Sequence, residues 1–185
     1  MHYFRMLGVA GVLAAFAVPS YAVAQVESTP IPAAKKPNFA PISFLLGTWS
    51  CSTKSARRAA PYITTTTYTA DSSGYWIDET STTNPTKWIP TKLTTHDKIT
   101  YDSDTHRWVD VLYGDYGTYG LSFSTGWNGD KLVWHDVSFA AGPDIKSQTD
   151  TTVTKVSATK MTTSSSFTEA NGGRVVSVKG VCTKQ

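Results

Sequence analysis

The chain has 185 residues, with 17 Lys and Arg against 14 Asp and Glu, a formal net charge of +3. That length predicts one folded domain, and its basic residues cluster only as the doublets Lys35-Lys36 and Arg57-Arg58, which excludes a basic groove for nucleic acid. Its 28 threonines and only three glutamates, Glu27, Glu79 and Glu169, favour pleated sheet over helix, so the expected class is all-β.

In chain order, the first element is a targeting segment. Arg5 precedes the uninterrupted apolar run Met6–Val18, Pro19 breaks that run, and Ala22-Val23-Ala24 offers the small-x-small site a signal peptidase needs. Residues 1–24 therefore read as a signal peptide. The run is shorter than the roughly 20 apolar residues of a membrane span. Export to the periplasm or the medium is expected, with no membrane span left after cleavage. Residues 25–41 contain Pro30, Pro32, Pro37 and Pro41 and read as an extended linker or arm. The folded domain is placed at 42–185. It opens with a short helical turn over Ile42–Leu46, which Gly47 ends.

Ten alternating runs follow: Gly47–Lys54, Tyr62–Ala70, Tyr75–Thr82, Thr91–Tyr101, Arg107–Tyr113, Tyr119–Ser124, Lys131–Phe139, Gln148–Val156, Lys160–Thr168 and Val175–Thr183. Turn chemistry separates them, as in Asp71-Ser72-Ser73-Gly74, Asn128-Gly129-Asp130 and Asn171-Gly172-Gly173. Sequential short strands joined by hairpins predict an antiparallel up-and-down barrel of about ten strands, which removes its exposed edges by closing. Cys51 falls in the first run and Cys182 in the last. Neither has histidine or carboxylate neighbours at metal-ligand spacing, so a disulfide closing the barrel is expected and a metal site is not.

Phe44-Leu45-Leu46-Gly47-Thr48-Trp49 resembles the Gly-x-Trp opening of lipocalins and other calycin barrels, including the nitrobindin-like proteins. The segments Tyr101-Asp102-x-x-Thr105-x-x-Trp108 and Trp127-Asn128-Gly129-Asp130-x-Leu132-Val133 look like strand-turn-strand units of related bacterial barrel domains of unknown function. The resemblance implies a calycin-like barrel in which Gly47 and Trp49 close one end. It also implies carriage of a small ligand. Nitrobindin-like proteins bind haem through a histidine near the C-terminus, and no histidine follows His135, so haem is not supported and the cofactor is left unassigned. The lipocalin arginine that packs on the tryptophan has only Arg174 as a late counterpart.

No G-x-S-x-G, HExxH, P-loop or G-x-G-x-x-G motif occurs. Two His-Asp pairs do, His96-Asp97 and His135-Asp136, and adjacent strand residues point to opposite faces. Val133, His135, Val137 and Phe139 share one apolar face, which predicts His135 inside an otherwise apolar lumen and His96 outside. Glu79, in phase with Tyr75 and Ile77, points inward. The candidate ligand contacts are thus His135, Glu79, Tyr101 and Phe139; the alternatives are a structural histidine and a rim carboxylate. The leading expectation is non-enzymatic binding of a small apolar or aromatic molecule. An enzyme using His135 or Glu79 as general acid or base, and a filled structural barrel, stand beside it. The sequence does not indicate an oligomeric state.

Overall fold

Each run from Gly47 onward is long enough to bury one face, and the turns are short, so successive strands hydrogen-bond to one another. The structure, a computed structural model, describes residues 34–87, 90–140, 145–148, 150–169 and 175–185. The expected signal segment, most of the expected arm and Arg174 lie outside the described residues.

The described residues form a 3-10 turn, Ala40–Leu45, and twelve principal strands. These are β1 (Gly47–Ser55), β2 (Tyr62–Ala70), β3 (Ile77–Thr83), β4 (Leu93–Asp102), β5 (Arg107–Gly114), β6 (Thr118–Ser124), β7 (Trp127–Asn128), β8 (Lys131–Ala140), β9 (Ile145–Gln148), β10 (Thr151–Ser157), β11 (Lys160–Glu169) and β12 (Val175–Lys184). Ten of them pair antiparallel in the ring β1-β2-β3-β4-β5-β6-β8-β10-β11-β12, and β12 returns onto β1. The barrel is closed. Its ten strands are the ten expected runs, displaced by a few residues at most. The expected Gln148–Val156 run divides: its barrel part is β10, whereas Gln148 belongs to β9, which pairs with β11. Strand β7 extends the hairpin into β8.

Cys51 and Cys182 are direct cross-strand partners in the β1–β12 ladder and form a disulfide. The first and last strands are thus joined covalently as well as by hydrogen bonds.

The interior has two halves. Near the start of β1, Trp49, Ile77, Ile99, Trp108, Leu132, Val153 and Met161 pack with Ile42 and Leu45 of the 3-10 turn into one apolar core. Trp49 is fully buried and its indole N–H donates to the Leu45 carbonyl at 2.7 Å, which ties the turn across the barrel end. The Lys184 ammonium lies over the same ring, 5.2 Å from its centre. Gly47 has φ +110°, and a Cβ there would come within 2.8 Å of Lys184 Cε. The backbone conformation favours glycine at this position, while the lysine end could shift aside.

Candidate functional site in the barrel lumen

The other half of the barrel is polar. Strand phase follows from the ladder: Trp49, Cys51 and Thr53 face inward from β1, and their neighbours Thr66 and Thr64 do so from β2. The adjacent inward row, that of Gly47, runs through Tyr68, Glu79 and Asp97, which are successive cross-strand partners on β2, β3 and β4. One row nearer the core, Asp110 on β5 pairs with Ser122 on β6, and Ser122 with Asp136 on β8. These groups border a half-open cavity of about 260 Å³. The rest of its wall, running from β8 round to β1, includes Trp134, Phe139, Val153, Met161 and the disulfide. One side is acidic and the other largely apolar.

Among the described residues, no lysine, arginine or histidine lines this cavity. The carboxylates meet few hydrogen-bond donors. Glu79 accepts from the Ser81 hydroxyl at 2.9 Å and from the Tyr68 phenol. Asp110 accepts from Ser122 through Oδ2 at 3.4 Å, while its Oδ1 is buried without a partner. Asp97 is only 5% exposed.

Burial disfavours charge on all three. It pushes the Glu79 carboxyl up to about 7, against the opposing pull of the Ser81 and Tyr68 hydrogen bonds. Asp97 is held well above the usual carboxylate range, first by burial and then by repulsion from Glu79 and Asp110. Asp110 is raised well above that range too, again chiefly by burial, with Glu79 and Asp136 adding repulsion. The Tyr68 phenol is pushed up by burial and then by the neighbouring carboxylates. At neutral pH the empty cavity holds part of its acid in protonated form.

The structure corrects the expected position of His135. Its ring is on the outer face, 60% exposed, with Nδ1 2.8 Å from Asp150 Oδ2. The cause is a β-bulge: Leu121 pairs with Ser138 but the next residue, Ser122, pairs with Asp136, leaving Val137 as the extra residue. An extra residue reverses the phase of a strand. Phe139 does border the cavity, beyond the bulge, whereas before it the inward positions are Trp134 and Asp136. Gly120 makes room for Phe139, since a Cβ there would stand 3.2 Å from the ring. An otherwise apolar lumen is corrected with the same observation. In both His-Asp pairs the aspartate lies inside and the histidine outside, and His96 stacks on Tyr113 at 5.4 Å.

Glu79 lies inside, as its phase with Ile77 implied. Tyr101 does not join it. Its ring packs edge-on against Trp108 at 5.1 Å and borders a separate cavity of about 520 Å³ with Lys35, Lys36 and Trp127. Sequence reasoning missed Asp97 and Asp110, although the signal was present. Once His96 is outside, Asp97 must be inside, and Asp110 sits between the apolar Trp108 and Leu112 on one face of β5.

What the strand order defines is a closed, sequential ten-strand antiparallel barrel with an acidic lumen. No protein-family model and no curated protein matches the sequence. Two solved structures are similar at a low level. One, EF1p2_mFAP2b bound to DFHBI, is 11% identical with a TM-score of 0.41, covering 78% of this chain and 97% of that one. The other, a protein of unknown function from the DUF3598 family of Nostoc punctiforme PCC 73102, is 16% identical with a TM-score of 0.38 and covers 86% of this chain. This chain spans about half the length of that second protein, 53%. Likeness at this level carries no argument, and the fold class rests on the strand pairing.

Proposed function

We propose that the protein is an exported, non-enzymatic binder of a small molecule, with its site in the polar half of the lumen. The observation that carries this reading is the half-open cavity of about 260 Å³, in which convergent polar groups face an apolar wall. Binding sites combine a mostly apolar surface with a few placed polar groups, and this arrangement offers both. At roughly 30 Å³ per water, the space holds about nine waters or an organic molecule of comparable bulk. The filled-barrel alternative is disfavoured by the same space. Export rests on the targeting segment, and the disulfide is in keeping with an oxidising destination. Calycin kinship, nitrobindin-like or otherwise, rests on the Gly47-x-Trp49 opening.

Native mass spectrometry of the purified, oxidised protein tests the reading. A co-purified small molecule is expected, and Thr53→Trp, which fills the cavity from β1, should lose it. Equal retention by the variant would place the molecule elsewhere.

One observation favours a second reading, acid–base catalysis in the same cavity: a carboxyl poised at about 7, Glu79, stands within hydrogen-bond reach of a phenol. Chemical turnover of the co-purified molecule that Glu79→Gln abolishes would decide for it.

A further inference from the structure

The barrel end beside the 3-10 turn carries the second cavity, of about 520 Å³, bordered by Tyr101, Trp108 and Trp127 and by Lys35 and Lys36 of the arm. Its volume is within the roughly 300–1,000 Å³ of small-molecule pockets. Trp108 is 3% exposed and belongs to the apolar core, with the Tyr101 ring edge-on to it. The edge of the indole that carries the N–H faces Gly126, another residue of the cavity wall. There φ is +96°, and a Cβ would touch Nε1 at 3.5 Å. Glycine leaves that edge uncovered. No described residue accepts a hydrogen bond from the Trp108 N–H, and it is not sealed from the cavity, as the buried Trp127 N–H is.

The end of the arm is held against the barrel. The Phe39 ring packs on Trp108 with centroids 6.0 Å apart, and the Lys36 ammonium lies 5.5 Å from the centre of the Tyr75 ring. Lys35, beside it, also borders the cavity and forms no ion pair with a described residue. An ammonium group and an indole N–H are donors only. A molecule that satisfies them brings acceptors, and two adjacent positive charges favour an anionic one. The aromatic rings offer flat apolar surface for the rest of it.

We infer that this cavity is a second binding site, separate from the lumen, for a small aromatic carboxylate. The carboxylate lies between the two lysines and the Trp108 N–H, and the aromatic body lies against Tyr101 and Trp127.

Isothermal titration of the oxidised protein with 2-naphthoate, and with the neutral 2-naphthalenemethanol on the same frame, tests this. The naphthoate should bind about tenfold or more tighter than the alcohol, the scale of a charge-assisted hydrogen bond. That margin should shrink in high salt, because both lysines are exposed. The double variant Lys35→Gln with Lys36→Gln should reduce naphthoate affinity about tenfold and leave the alcohol within about twofold. Thr53→Trp, which fills the lumen, should leave naphthoate binding within about twofold. In ¹⁵N–¹H spectra the Trp108 indole N–H signal, identified by its contacts with Phe39 and Tyr101, should move downfield as naphthoate binds. Equal binding of the two probes, equal loss of both in the lysine variant, or an unmoved Trp108 signal would overturn the site. Failure of both probes to bind would overturn it too, and naphthoate lost in Thr53→Trp would overturn it in favour of the lumen. Loss of a co-purified molecule in Thr53→Trp reports on the lumen alone, so the two sites stand or fall separately.

Discussion

Glu79 shows how far a single side chain's surroundings govern its chemistry. The surface it retains is on the cavity wall, so its carboxyl titrates at about 7 rather than at its ordinary 4.5. Between these values the folded protein keeps a proton that the unfolded chain has released. Its stabilising effect is complete below pH ~4.5 and is lost as pH rises through about 7. The shift corresponds to something on the order of 3 kcal/mol. Urea unfolding at pH 5 and pH 8 should find the empty protein more stable at pH 5, and Glu79→Gln should flatten that difference. Asp97 and Asp110 act with the same sign, so their asparagine variants should be more stable than the parent at pH 8. Residue by residue, the sequence revealed which groups could carry chemistry but ranked them wrongly. Histidines drew attention because they titrate near neutrality, while the aspartates beside them looked like ordinary surface charges. Burial inverts that order, and burial is decided by strand phase.

Strand β8 makes the same point for a whole element. Its alternation was legible, yet a bulge leaves no mark in composition, since Val137 resembles any other strand residue. Counting back from Phe139 across it puts His135 on the wrong face. With its ring outside and its Asp150 partner 54% exposed, His135 takes part in a surface hydrogen bond. His135→Gln should change stability by less than about 1 kcal/mol and leave ligand binding intact. The 3-10 turn is the opposite case. Its position was readable because proline opens it, Gly47 follows it, and the tryptophan two residues on has to be buried somewhere. Trp49 fills the barrel end and holds the turn through Leu45. Trp49→Ala should cost about 3–5 kcal/mol, the range for large buried aromatics, in an equilibrium unfolding measurement.

Across the whole molecule, the barrel divides its duties along its axis. The apolar core below the cavity supplies packing, and the ring of paired strands holds the acidic wall in place above it. Turn residues and alternation revealed ten strands and their order, because short hairpins leave few other pairings. They could not reveal the two-part lumen, which depends on rows of residues drawn from strands far apart in sequence. The disulfide closes a loop of 131 residues, and on a chain-entropy view it stabilises the fold by up to about 5 kcal/mol. The double variant Cys51→Ser with Cys182→Ser should lose stability up to that amount, again by urea unfolding.

Bonding the first strand to the last also changes the chain's connectivity. From Cys51 to Cys182 the backbone becomes a macrocycle, with 50 residues before it and three after it. A protease that cuts once within the exposed turn Ser103–His106 opens the cycle without releasing a fragment. The nicked molecule becomes a circular permutant of itself, with new ends at the cut and its old ends still stitched together. It should migrate as one species on a non-reducing gel and as two after thiol treatment, and the sheet should survive the cut.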